Sequence, residues 1–319
     1  MLQVVPDYYD EFVCAASHCR HSCCVGWEID VDEASLRRYD AVPGELGQRL
    51  RRCIDREGQP HFRLGADGRC PFLDSENLCE LIMQLGPESL CQICADHPRF
   101  RCELPGRVET GLGLCCEAAG RLILGRQEPM RLRCTGEAEA EAEDEIIALR
   151  DQAIALLQDR SKPVELRAEE LLALCGGSLG SRTAAQWAEE LLTLERLEEG
   201  WTELLESLRD EAPDLAAFDA CMAGRETEYE QLLVYLVYRH LANASDALEL
   251  AARAGFAVLG YRLLRQLGAV AWRRQGHFSL DDQVELARRF SAELEYSDEN
   301  FWALLELLAE ECLAAAEER

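Results

Sequence analysis

Residues 14–32, CAASHCRHSCCVGWEIDVD, carry Cys14, Cys19, Cys23 and Cys24 and then change character. Past Cys24, Trp27, Ile29 and Val31 alternate with Glu28, Asp30 and Asp32, the period of a half-buried strand. Asp32 suits the N-cap of a helix reaching about Tyr39, because its carboxylate can accept orphan backbone N–H groups. Pro43-Gly44 breaks that helix, and Glu45 to Ile54 reads as a second short one. Beyond it, Gly65, Gly68, Pro71, Gly86, Pro87, Pro98, Pro105 and Gly106 punctuate the chain. A region so rich in loops has little core of its own, and a metal site would supply the missing cross-links. The expected fold is mostly α: a small, irregular, cysteine-rich, metal-binding N-terminal region followed by an all-helical C-terminal domain.

The boundaries follow from composition. At 319 residues the chain exceeds the ~250 at which single cores usually stop growing, so about two domains are expected. Twelve of the sixteen cysteines fall between Cys14 and Cys116, which sets a cysteine-rich domain at residues 1–134. Residues 135–145 are a low-complexity acidic linker or frayed helix start, and residues 146–319 form the helical domain. Helices are expected at about 146–159, 164–175, 183–209, 213–223, 225–242, 245–274, 281–295 and 298–316. Pro163, Gly176-Gly177, Pro213, Gly224 and Gly276 mark the joints.

Compartment decides how the cysteines are read. The N-terminus MLQVVPDYYDEFVC lacks a basic segment, a long apolar segment and a small-residue cleavage site. No apolar run approaches the ~18 residues of a membrane span. The chain is therefore expected in a reducing cytoplasm, where clustered thiols bind metal more often than they pair as disulfides. Residues 1–134 hold 16 Lys+Arg against 21 Asp+Glu, and residues 135–319 hold 17 against 39. The net charge of −27 thus sits mainly on the helical part, and it disfavours nucleic acid and anionic membrane as partners. Solvated helix faces explain it, with a basic protein partner as the other reading.

The cysteine motifs are Cys14-x4-Cys19-x3-Cys23-Cys24, Cys70-Pro71-Phe72-Leu73 with Cys79, Cys91-x2-Cys94, and Cys115. Loops leave thiolates free to converge on one ion or cluster, and a Cys-x2-Cys turn is a common half-site for zinc or iron. The single such knuckle argues against a zinc ribbon. Gly26 occupies the place of the third cysteine of a radical S-adenosylmethionine signature, which argues against that chemistry. The side chains of a vicinal pair diverge, so one of Cys23 and Cys24 serves a given metal while the other serves a second site or packs. No glycine fingerprint of a dinucleotide fold follows a strand; Cys175 to Gly180 reads as a helix terminus.

The segments CAASHCRHSCCVGWEIDVD, GRCPFLDSENLCELIMQLGPESLCQICADHPRF and GLGLCCEAAGRLIL resemble the flagellin lysine-N-methylase family, and more distantly the Cys-x3-Cys-Cys family of zinc- or iron-binding proteins. The resemblance covers residues 5–125 and extends weakly to ETEYEQLLVYLVYRHL (226–241). Its recurring cysteines fall on Cys14, Cys19, Cys23, Cys24, Cys70, Cys79, Cys91, Cys94 and Cys115, the implied metal ligands. Cys116 stands where the family tends to have proline, Gly120 where it has arginine and Ile82 where tyrosine is usual; Cys53 and Cys102 are extra. The resemblance implies methyl transfer from S-adenosylmethionine to lysines of flagellin, or of another lysine-bearing protein, with a [4Fe–4S] cluster; zinc is the alternative metal. The competing function is a non-enzymatic metal-binding or metal-delivery protein whose helices dock a partner.

Such chemistry needs a base. A lysine ammonium has a pKa of about 10.4 and must lose its proton before it attacks a methyl sulfonium. Glu28, Asp30 and Glu117 are the candidate catalytic carboxylates because they lie beside the cysteine motifs. His18, His21 and His97 can be ligands or bases, with a supporting hydrogen-bond role preferred. Tyr235 and Tyr238, three apart on one helix, read as core, while Arg262 and Arg273 are candidate cleft residues.

Overall fold

A computed structural model describes residues 1–137 and 145–317, so most of the acidic segment expected at 135–145 lies outside the described residues. The chain divides into two compact units. A cysteine unit comprises Val13–Phe100 and Cys116–Ala118. A helical unit comprises Met1–Phe12, Arg101–Cys115 and Ala119–Arg319, so the first strand and a segment before Cys115 group with the helices.

In the cysteine unit, α1 (Glu33–Ala41) starts as expected on Asp32, whose carboxylate accepts the Ser35 N–H at 2.9 Å. The same carboxylate accepts the Gln92 N–H at 2.8 Å, so one residue caps α1 and fastens the segment that follows Cys91. Burial pushes the Asp32 carboxyl up, but these N–H donors outweigh it and hold it at about 2. Then come α2 (Gly44–Cys53), the paired strands β2 (Ile54–Asp55) and β3 (His61–Phe62), and the short helices α3 (Glu80–Leu85) and α4 (Gln92–Asp96). No strand forms over residues 27–31; the expected alternation survives as burial of Ile29 and Val31. That segment is fixed by Phe62 N–H to Ile29 C=O and Val31 N–H to Pro60 C=O. A core does exist: Tyr39, Leu50, Ile54, Phe62, Phe72 and Leu81 close around Ile29 and Val31.

The helical unit carries a sheet that the sequence reading does not contain, of order β4 (Arg99–Leu104), β5 (Arg107–Leu112), β1 (Leu2–Pro6), β6 (Leu132–Thr135). β1 runs parallel to β5, with Val4 opposite Glu109, and antiparallel to β6, with Val4 opposite Cys134. The N-terminal part is therefore less irregular than expected. Strands of four to six residues leave too few positions for a periodic signal.

After α5 (Glu117–Leu124), every described element from residue 145 onward is helical, as expected. These are α6 (Glu145–Leu157), α7 (Val164–Cys175), α8 (Ala184–Leu191), α9 (Glu199–Asp210), α10 (Leu215–Cys221), α11 (Glu226–His240), α12 (Ala247–Gln275), α13 (Leu280–Phe290) with a π-turn at Ser291–Glu295, and α14 (Asp298–Glu317). Residues 228–240 of α11 are all buried, which marks it as the axis of the bundle. α12 packs against it, and Gly260 permits the approach: a Cβ there would lie 3.0 Å from Leu236 Cδ1 of α11. Gly176 ends α7 in the left-handed conformation (φ 70°), which confirms the terminus read there.

One expected helix, 183–209, is two. The Glu293 carboxylate accepts the N–H groups of Leu197 and Glu198, and Asn300 accepts from the Glu195 N–H while donating to its C=O. Distant side chains thus satisfy the backbone that helix would otherwise satisfy. No described helix is long and apolar enough to cross a membrane.

Candidate metal centre

Local backbone pairing gathers the thiols of the cysteine unit. The Cys70 N–H donates to the Cys24 C=O at 2.8 Å, which joins the first and second cysteine motifs. A turn after Cys70, closed by Leu73 N–H to Cys70 C=O, leads into a bridge between Leu73 and Cys79. Cys91 is the N-cap of α4, and Asp32 holds the following N–H, which fixes where the Cys91-x2-Cys94 turn begins. Cys70 and Cys91 are buried in the core, with Cys24, Cys53, Cys79 and Cys94 packed against it.

These thiols feel one another. Cys94 and Cys91 share a hydrogen bond that lowers the Cys91 thiol and raises that of Cys94. Burial pushes Cys70 up to about 12, with Cys24, Cys79 and Cys91 adding to the rise. Burial raises Cys79 too, again with Cys24 and Cys91 contributing. At the rim, a hydrogen bond with Cys23 lowers Cys24 to about 7 and raises Cys23, a rise to which Cys116 and Cys14 contribute. Cys24, Cys70, Cys79, Cys91 and Cys94 therefore form one electrostatic group in which burial and neighbouring thiols oppose the ionisation of Cys70, Cys79 and Cys94.

A bound cation relieves that opposition, because metal ligation needs thiolates and stabilises them. The donor chemistry thus fits a thiolate-held metal or cluster. Among the described residues, however, no three His, Cys, Asp or Glu groups are already drawn into a cation cage. The thiols converge without closing to the tight spacing of a single tetrahedral ion.

The remaining predicted ligands are placed less uniformly. Cys14 and Cys23 are exposed, and Cys19 is half-buried. Cys115 is buried and belongs to the helical unit, where it makes a hydrogen bond with Tyr296. Cys116, which the sequence reading treats as a departure from the family pattern, is near enough to Cys23 to influence it. Cys102 is part-buried, bonded to the Arg239 C=O and Asn243. Gly120, where the family pattern has arginine, sits tightly: a Cβ there would lie 3.0 Å from Val284 Cγ1, which would have to shift.

The three carboxylates differ sharply. The Glu28 side chain is 73% exposed, with His61 Nδ1 3.9 Å away. Asp30 is half-buried and makes a backbone bridge to His61. Glu117, in the first turn of α5, is 4% exposed. Its Oε1 accepts the Arg20 N–H at 3.1 Å, while Oε2 is buried without a hydrogen-bond partner, 3.6 Å from Arg20 Nε. Burial pushes the His97 ring down to about 4, which suits a neutral supporting role. His18 Nδ1 meets the Ala15 C=O at 3.3 Å.

The helical unit holds a polar network that sequence reasoning missed. Tyr235 donates to Glu295 and receives the Leu114 N–H and an Arg239 N–H; His240 Nε2 lies 2.6 Å from Glu295. The tyrosine-rich pattern of α11 marked Tyr235 as buried, but nothing marked Glu295 as its partner. Arg262 and Arg273, the candidate cleft residues, are engaged by Glu165 and Glu211.

Residues 178–317 match the FliB lysine N-methylase C-terminal domain family. Across 134 residues the chain is 28% identical to the lysine-N-methylase of Salmonella typhimurium, covering 40% of this chain and 33% of that protein. Across 135 residues it is 29% identical to the flagellar biosynthetic protein FliU of Salmonella muenchen, covering 40% of this chain and 79% of that one. The matched stretch thus spans about a third of the Salmonella typhimurium enzyme's length. No solved structure matches. The likeness first read from the cysteine segments is met by a second one on the helices, where residues 178–317 are similar to the lysine N-methylase C-terminal domain.

Proposed function

We propose that this protein methylates lysine side chains of a protein substrate of the flagellin type, with S-adenosylmethionine as methyl donor and a thiolate-held iron–sulfur cluster. The observation that carries the reading is the match of residues 178–317 to the FliB lysine N-methylase C-terminal domain. The gathered thiols of Cys24, Cys70, Cys79, Cys91 and Cys94 support the cluster, with Cys14, Cys19, Cys23 and Cys115 counted by resemblance. When bound, a cluster with an open iron position supplies a hold for the amino and carboxylate groups of the donor's methionine part.

Glu117 is the carboxylate best built to serve the incoming lysine. Oε1 is fixed by a backbone N–H, and Oε2 is buried with its hydrogen-bonding capacity unused. A buried carboxylate attracts an ammonium and then accepts its proton. The freed amine forms a new N–C bond to the methyl group as the S–C bond breaks, leaving S-adenosylhomocysteine and a protonated Glu117. Arg20, whose side chain is 47% exposed, can swing from Glu117 into water as the ammonium arrives.

The test is incubation of the anaerobically reconstituted chain with flagellin from the same source and S-adenosylmethionine. Lysine peptides should gain mass in steps of ~14 Da, one per methyl group. An iron-loaded chain that neither binds S-adenosylmethionine nor modifies flagellin would refute the enzyme reading and leave metal delivery in its place.

A further inference from the structure

The end of α8 opens a groove on the helical unit. The chain leaves the helix after Leu191, and the Asn300 side chain in the first turn of α14 holds the Glu195 N–H and C=O at 3.1 and 2.8 Å. Leu191 and Leu194 on one side and Ala303, Leu304 and Leu307 of α14 on the other line a groove of about 200 Å³. Small-molecule pockets run to about 300–1,000 Å³, so this one suits one or two apolar side chains of a partner rather than a cofactor.

The exposed side of α14 extends the groove. Glu299, Ala303, Glu306, Leu307 and Glu310 recur at spacings of three and four or their sums, so they share one face of the helix. Trp302 on the same helix is 50% exposed and Leu313 53%. Glu195, Glu299, Glu306 and Glu310 are exposed, and none of them makes an ion pair among the described residues. Glu190 and Glu311, by contrast, are held by Arg182. Glu306 and Glu310 lie one turn apart on a helix that contains no lysine or arginine, an arrangement that weakens the helix by repulsion. Arg196, the one base between residues 190 and 198, is turned back onto the Leu192 and Leu194 carbonyls.

Charge selects the occupant. Residues 138–144 of this chain, AEAEAED, are acidic, and a second copy would bring another net charge of −27, so neither complements this rim. A cationic amphipathic helix does: its apolar side chains at i, i+3 or i+4 and i+7 enter the groove, and its cations meet the unpaired carboxylates. We propose that this face of α14 and the groove beside it dock a lysine- or arginine-bearing amphipathic helix of the protein substrate. The proposal rests on the reading of that substrate given above and adds where the helical unit grips it.

The full-length chain, reconstituted anaerobically, is compared as wild type, Glu306→Gln/Glu310→Gln, Leu307→Gln and Glu203→Gln/Glu206→Gln. The last pair makes the same charge change at exposed positions of α9, which does not line the groove. Circular dichroism, affinity for flagellin from the same source at low and high salt, and the KM and kcat of methylation are read for each. Glu306→Gln/Glu310→Gln should keep helicity and kcat. Its affinity should fall and its KM rise roughly 2–30-fold at low salt, the range for two exposed ion pairs. High salt should close that difference by screening the wild-type pairs. Leu307→Gln should bind more weakly at both salts, and the α9 pair should match wild type. If Leu307→Gln loses helicity, the two charge variants decide. Wild-type affinity in Glu306→Gln/Glu310→Gln at low salt, or an equal loss in the α9 pair, would overturn the docking site and leave the methylation reading intact. A wild-type chain without affinity for flagellin would overturn it as well. A chain that binds flagellin through this face but transfers no methyl group would support the site and refute the methylation reading.

Discussion

At the scale of single residues, the three carboxylates that looked equivalent in sequence are separated by burial. Glu28 is solvated, Asp30 is partly covered, and Glu117 is enclosed, with one oxygen paired to Arg20 by charge but accepting no hydrogen bond. A base that works on an ammonium gains from enclosure, because low dielectric strengthens both the attraction and the later proton transfer. Glu117→Gln should therefore lower the methylation rate by roughly 10²–10⁴ with iron content unchanged. Glu28→Gln should leave the rate as it was. Initial rates on flagellin check both, and an equal loss in the two variants would take the base role from Glu117. The same distinction applies to cysteines. Cys91→Ser should reduce iron content and soluble yield together, since ligation and folding are coupled here. Cys221→Ser, at an exposed helix end, should reduce neither.

At the scale of elements, local signals were read correctly where they were complete within a few residues. Asp32 caps α1, Gly176 ends α7, and the glycine at 276 ends α12 in the left-handed conformation. The reading failed where an element depends on a partner far along the chain. Leucines 191, 194 and 197 continue a helical pattern, yet Leu197 is 48% exposed because the chain leaves the helix after Leu191. Glu293 and Asn300 hold that break open, and both are essentially fully buried. Asn300→Ala would strand the Glu195 N–H and C=O, at a cost of about 1–3 kcal/mol for a buried group left unpaired. Urea unfolding of the two proteins measures it, and a midpoint equal to wild type would show that water satisfies the break. The strands are the matching case: β1 is defined by pairing with residues more than a hundred positions away, and no local pattern announces it.

At the scale of the whole molecule, the buried polar groups of the helical unit make its stability depend on pH. Burial pushes the His240 ring down to about 4. Burial also pushes Glu295 up, but Arg239 and His240 outweigh it and hold the carboxyl at about 2. Both folded values lie below the unfolded ones, about 6.5 for histidine and about 4.3 for glutamate. Below about pH 6.5 the unfolded chain takes up a proton on His240 that the folded chain refuses, so stability falls as pH drops towards 4. Glu295 adds a further loss between about pH 4.3 and 2 by the same sign. Chemical denaturation at pH 7.5 and pH 5 should show the lower midpoint at pH 5, and a flat profile would contradict the buried neutral His240.

What the sequence determined by itself was whatever rests on residue type and short spacing. The cysteine motifs, the caps and breaks of most helices, the helical character beyond residue 145 and the family likeness all have that origin. The tertiary structure decided which of those residues meet. It gathered Cys24, Cys70, Cys79, Cys91 and Cys94 around one core, enclosed Glu117 while leaving Glu28 in water, and set Cys115 in a network ending on Glu295. The reason is physical: burial and long-range hydrogen bonds are properties of chain packing, and spacing along the chain constrains them only within a few residues.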